Sequence, residues 1–272
     1  MAERVNALLG AELVDGLSSA TAWRSSSQLK LMLPRPRGTA VWACAATYGG
    51  GLVAGDRIAL DLTVGAGAAL CLGTQSTTKV YRSTGAEAVQ EVSGEVAAGG
   101  LLAILPEPLS PFAGSRYRQR SVLRAAAGAS LAWLDTVSAG RLSRDERWQQ
   151  AAYDARLDLL LDGRLILRDT LRLDAGSPAR LAGWAALSTL LLIGPRTAEA
   201  AQAARALAEL HRPGDDGLLI SASPVADGIL LRLAAADPEA LAGRIRAVIA
   251  PLAQPLDGDP WRRLASVEIA CT

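Results

Sequence analysis

Apolar and polar side chains alternate with a period of two along much of the chain up to about residue 175, the spacing of strands that bury one face. In Ile58-Ala-Leu-Asp-Leu-Thr-Val64, the residues Ile58, Leu60, Leu62 and Val64 share one face, and Asp61 and Thr63 share the other. Gly65-Ala-Gly67 then turns the chain into a second strand over 68–74. A later run carries Tyr153, Leu157, Leu159 and Leu161 and meets Asp162-Gly163. That dipeptide accepts the positive φ angles of a two-residue hairpin, so residues 165–173 form the partner strand.

The pattern changes after Pro178. Residues 181–193 form a long apolar stretch without alternation, which predicts a helix stopped by Gly194-Pro195. A second helix is expected over 196–211, with Thr197 as N-cap, Glu199 in its first turn, His211 and Arg212 at its end, and Pro213-Gly214 beyond. Residues 218–233 read as two strands around Asp227-Gly228, and Asp237-Pro238-Glu239 opens a last helix carrying Leu241, Ile245, Val248 and Ile249. The expected fold is mainly β: a large sheet-rich scaffold of β-helix or sandwich type with a few helices in the C-terminal third. One domain over 1–272 is expected, strand-rich over 20–175 and mixed over 178–272. A doubly wound α/β sheet is disfavoured because the early strands lack helices between them.

Composition narrows the function classes. Hydrophobic residues make up 50% of the 272, yet no apolar run approaches the ~20 residues of a membrane-spanning helix. The N-terminus lacks a basic segment followed by a long apolar one, so a cytoplasmic protein with no membrane partner is expected. A formal net charge of +1 with interspersed signs offers no basic face for nucleic acid. Cys44, Cys71 and Cys271 are widely spaced and odd in number, which favours buried thiols over a disulfide framework.

Familiar catalytic and nucleotide-binding patterns are missing. The segment around Lys79 joins a strand to a lysine through a polar turn, but Thr78 and Val80 stand where a phosphate-binding loop needs glycine and a hydroxyl. Gly49-Gly-Gly-Leu-Val-Ala-Gly55 lacks dinucleotide-turn spacing and leads into a strand rather than a helix. His211 is the sole histidine and lies at a helix end, where the helix dipole accounts for it. With no C-x-x-C and no H-x-x-x-H, any metal would pass by carboxylates, waters and backbone carbonyls.

Gly49-Gly-Gly-Leu-Val-Ala-Gly-Asp56, followed by Thr74-Gln-Ser-Thr-Thr-Lys-Val-Tyr-Arg-Ser83, resembles the two best-known stretches of the UreD (UreH) family of urease accessory proteins. Gln28-Leu-Lys-Leu31, Leu105-Pro-Glu-Pro-Leu-Ser-Pro-Phe-Ala-Gly114 and Gly140-Arg-Leu-Ser-Arg-Asp-Glu-Arg-Trp148 agree with it, as does Leu171-Arg-Leu-Asp174. The only lysines, Lys30 and Lys79, and the only phenylalanine, Phe112, fall inside these segments. The likeness is good over residues 20–175 and looser through the helices and the Pro260-Trp261-Arg-Arg263 tail. One departure is Glu107, which lies between Pro106 and Pro108 where many members read L-P-Q-E-T.

The resemblance implies a non-enzymatic scaffold that binds the urease apoprotein, the helical accessory protein UreF and the GTPase UreG. It also implies an internal route for nickel, with no permanently bound cofactor. Asp56, Glu107, Asp135 and Glu146 lie in or beside the matching segments and are the candidate weak nickel-transit carboxylates, or else plain turn and surface acids. Gly50, Gly51 and Gly55, with Lys79, Tyr81 and Arg82, are candidates for loop structure or partner contact. Two readings stand beside this one: a β-rich hydrolase using an acid pair from Asp135, Asp145 and Glu146, and a generic β-rich interaction module.

Overall fold

A computed structural model describes residues 6–34, 38–212 and 217–261. Cys271, Pro213-Gly214 and the Arg262-Arg263 end of the tail motif lie outside the described residues. The first strands begin before position 20: β1 (Asn6–Val14) and β2 (Leu17–Arg24) form an antiparallel hairpin. After β3 (Leu29–Met32), successive long strands alternate between two sheets: β4 (Val41–Thr47), β5 (Arg57–Val64), β6 (Ala69–Thr74), then, past the short β7 (Thr78–Val80), β8 (Ala88–Val96) and β9 (Leu101–Ile104). The short β10 (Leu109–Pro111) leads to β11 (Arg116–Ala125), β12 (Ser130–Ser138) and β13 (Ala152–Leu161). Strands β4, β6, β9 and β12 stack in parallel in one sheet, and β1, β5, β8, β11 and β13 in the other, so the chain winds as a coil.

The coil ends in antiparallel strands. Asp162 and Gly163 take φ angles of 47° and 76°, and β14 (Arg164–Leu173) returns along β13 as the hairpin pattern indicated. A short helix α1 (Ser177–Arg180) precedes β15 (Ala186–Ile193), which pairs antiparallel with β12. The expected helix over 181–193 is therefore a strand. Its side chains are buried on both sides, with Leu191 and Ile193 in the core between the sheets and Ala186, Leu190 and Leu192 on the opposite face. Burial on both faces removes the alternation that marks a strand.

Helix α2 (Ala198–Leu210) forms as expected, although Thr197 Oγ1 donates to the Gly194 carbonyl instead of capping. Strands β16 (Leu218–Val225) and β17 (Gly228–Ala235) form the expected hairpin, with the turn one residue earlier at Ala226-Asp227. Helix α3 (Pro238–Ile249) starts at Asp237, whose carboxylate accepts from the Glu239 amide. Helices α2 and α3 cover the outer face of the larger sheet, where Leu241, Ile245, Val248 and Ile249 pack with Ala103, Leu134 and Leu192. The larger sheet is thus the middle layer, and its order β16-β17-β15-β12-β9-β6-β4-β3 leaves β16 at one edge, beside edge strand β14 of the smaller sheet.

Candidate functional site

The two ends of the coil differ. At one, short turns around residues 65–68, 97–100 and 126–129 stack on each other, with Gly67 N donating to Ala98 O and Gly99 N to Gly128 O. At the other, β4, β6, β9 and β12 each run into a longer connection, over 48–56, 75–87, 105–115 and 139–151. Most of the residues that carry the family resemblance sit in these connections.

They are bonded to one another. Leu52 N donates to Lys79 O at 2.7 Å, and Tyr81 N returns to Leu52 O at 2.9 Å, so the glycine-rich and Lys79 segments join directly. Thr78 N donates to Pro108 O, Phe112 N to Val80 O, and Glu107 N to Thr74 Oγ1. A Cβ on Gly51 would lie 2.5 Å from Lys79 O, which is why only glycine fits there. Gly50 and Gly55 take φ of 73° and 88°, which favours glycine. Lys79 is exposed, Tyr81 packs edge-on against Phe112 at 5.4 Å, and Arg82 lies beside Gly114.

The four candidate carboxylates stand in four different settings. Asp56 accepts from Val53 N and Gln28 Nε2, closing the glycine-rich loop. Glu146 is gripped by Arg141, whose guanidinium also stacks on Phe112 at 4.5 Å, and it accepts from Ala113 N. The Arg141 bond holds the Glu146 carboxyl below its ordinary range. Glu107 occupies a cleft between the larger sheet and α3, with Arg246, Glu239 and Trp261. Desolvation raises its pKa, opposed by Arg246 and helped by Glu239. Asp145, in a left-handed turn, is exposed.

Asp135 is the one that faces the interior between the sheets. It follows from parity on β12: Leu131, Trp133 and Val137 point into that core, Asp135 is in phase with them, and Leu134 points to the helices. Its carboxylate accepts from Gln119 Nε2 at 2.9 Å, and among the described residues no arginine or lysine forms an ion pair with it. Tyr117 OH donates to Gln119 Oε1 at 2.8 Å and lies 3.2 Å from Gln90 Oε1, so a polar line runs over the inner face of the smaller sheet and reaches across to Asp135. The Tyr153 ring packs on Tyr117 at 5.5 Å, and its hydroxyl is buried without a hydrogen-bond partner among the described residues. Burial pushes the Asp135 pKa up to about 6, with the Gln119 bond lowering it and the Asp169 charge raising it.

Two cavities meet at this residue. One, of about 170 Å³, is lined by Gly50, Gln75, Ser76, Thr78, Gln90, Gln119, Trp133 and Asp135. It reaches the surface through the exposed Gly50, Gln75 and Ser76 of the long connections. The other, of about 330 Å³, is lined by Trp133, Asp135, Tyr153, Asp169, Ser188 and Arg232, among others. It reaches the surface through the exposed Thr170 and Leu219, between the edge strands β14 and β16. Trp133 and Asp135 line both. A carboxylate enclosed by protein yet bordering two spaces that each have room for several waters can accept a hydrated cation from either side.

Sequence reasoning missed Gln90, Gln119, Tyr117 and Asp169. The available signal was polar residues in phase with apolar ones: Gln90 with Val92, and Gln119 and Ser121 with Tyr117 and Leu123. Among the described residues, no three metal-ligating side chains form a ready-made cage.

The sequence matches the UreD urease accessory protein family over residues 6–265. A urease accessory protein UreD from Anaeromyxobacter sp. (strain Fw109-5) is 44% identical over 255 residues, covering 92% of this chain and 86% of its own. That of Sorangium cellulosum (strain So ce56) is 43% identical over 244 residues, covering 87% and 77%. The urease accessory protein D of Arabidopsis thaliana is 32% identical over 198 residues, covering 69% and 67%. With its motif segments bonded together at one end of the coil and the match spanning nearly the whole sequence, the chain belongs to the UreD family of urease accessory proteins.

Proposed function

We propose that the chain is a non-catalytic scaffold in urease maturation that binds apo-urease together with UreF and UreG and conducts nickel through its interior. Asp135 is the residue on which the cation pauses. The observation that carries this reading is the placement of Asp135, which among the described residues is the one acid lining both cavities and is in no ion pair, the arginines of the lining being held by Asp158 and Asp169. Such a charge costs stability, so a role for it in passage accounts for its presence better than a structural one. Oxygen ligands without a histidine or thiolate cage bind nickel weakly enough to release it.

Asp56 and Glu146 serve the scaffold in this reading, because hydrogen bonds already occupy their oxygens. Glu107 offers a second stop outside the larger sheet. The loop end, with exposed Tyr48, Val53 and Lys79, is the face offered to protein partners. The test is the nickel content and activity of urease purified at equal abundance from cells carrying the wild-type chain, no chain, or Asp135→Asn. Low nickel in the last two supports transit through Asp135. Full loading without the chain would remove the accessory role, and full loading with Asp135→Asn would remove the route.

A further inference from the structure

The larger cavity reaches solvent where the sandwich ends, and an ion pair spans that opening. Arg232, on β17 of the larger sheet, donates from Nη2 to Asp169 Oδ1, on edge strand β14 of the smaller sheet, at 2.6 Å. Both residues line the cavity. Because they belong to different sheets, their bond closes the mouth from wall to wall. We propose that Asp169 and Arg232 form an exchangeable latch: an arriving divalent cation takes the Asp169 carboxylate from Arg232, and the guanidinium recloses on it once the cation has moved on.

Three observations support exchange over a fixed clamp. The pair is partly wet, with the Arg232 side chain 45% and that of Asp169 19% exposed, and a solvent-screened pair is weak enough to open. The other cation in the lining, Arg156, is held by Asp158, which Arg168 also grips. Asp158 therefore already serves two arginines, whereas Asp169 serves one and can be competed away. Finally, the charge of Asp169 is felt at Asp135, so the mouth acid and the interior acid are near enough to act in sequence. An unpaired Arg232 at the opening would repel a dication, and its pairing lowers that barrier.

The latch rests on the transit reading, and sign separates it from a clamp. A clamp is broken equally by losing either partner. A latch is not: Asp169→Asn removes the cation's first ligand and leaves the guanidinium unopposed, whereas Arg232→Met leaves the carboxylate free. Urease nickel would be measured at limiting nickel supply, normalised to the soluble abundance of each variant. Asp169→Asn should lower loading by about three-fold or more, consistent with adding one repulsive charge at a partly hydrated mouth. Arg232→Met should load as well as wild type or better, and Asp169→Glu, which keeps the charge, should restore part of the loading that Asp169→Asn loses. Equal losses in Asp169→Asn and Arg232→Met, or normal loading in both, would overturn the latch. Asp135→Asn, run beside them, reports separately: if it alone blocks loading, transit stands without the latch, and if it loads normally, both fall.

Discussion

Replacing Asp135 by asparagine should make the folded chain more stable while stopping its work in maturation. The carboxyl has an ordinary pKa near 3.8 when the chain is unfolded and about 6 in its enclosed position. Between those values the folded form holds the extra proton, so stability falls as pH rises through this window. By linkage the loss is about 0.5 kcal/mol at pH 4, about 1.5 kcal/mol at pH 5 and about 3 kcal/mol at pH 7.5. Asparagine keeps the shape and can still accept from Gln119 Nε2 but carries no charge, so it should recover most of that loss. For a chain of 272 residues, 3 kcal/mol corresponds to a rise in Tm of about 5 °C. Thermal unfolding of both proteins at pH 4, 5 and 7.5 would show a gain in Tm that grows with pH. A gain independent of pH, or a variant less stable than wild type at pH 7.5, would refute the enclosed-charge argument.

Other substitutions probe the layers and loops. Leu191→Ala removes a fully buried side chain of β15 from the core between the sheets and should cost about 3 kcal/mol in denaturant unfolding; a cost below about 1 kcal/mol would show that the strand is not packed on both faces. Gly51→Ala should destabilise the chain more than Gly163→Ala, since the first meets Lys79 O at 2.5 Å and the second meets no atom within 4 Å, leaving mainly its φ of 76° to cost about 1 kcal/mol. Burial raises the Cys44 thiol to about 11 and Cys71 further, so neither should react with a thiol reagent at pH 8 until the chain is denatured. Rapid labelling of Cys44 or Cys71 in the native protein, read by peptide mass, would contradict their placement.

Much of the β architecture was legible because its strands are amphipathic. The Ile58 strand, the Asp162-Gly163 hairpin, helix α2 and the capped start of α3 all obey local rules that single residues announce. Strand β15 broke those rules for a reason of layering: a strand between two cores carries apolar side chains on both faces and shares that trait with a buried helix. The motif segments could be located along the chain, but not their mutual hydrogen bonds, because Leu52 and Lys79 meet only when the coil brings successive connections side by side. Asp135 could be named as a candidate, and its parity with Trp133 was readable. Its isolation from arginine was not, since that depends on which residues of β11, β14 and β17 arrive opposite it.

The unequal ends of the coil set different terms for change by insertion. A residue added among the stacked turns at 65–68, 97–100 or 126–129 would shift two rungs out of register and flip inward side chains outward, Asp135 among them if the change fell at the last turn. The exposed stretch around Gly85, where an added side chain meets no atom within 4 Å, can lengthen without moving any rung. Among the connections of the coil, lengthening is therefore tolerated best at the end that carries the long ones. Homologues can differ there in the length and shape of the surface they present while the interior polar line keeps its register.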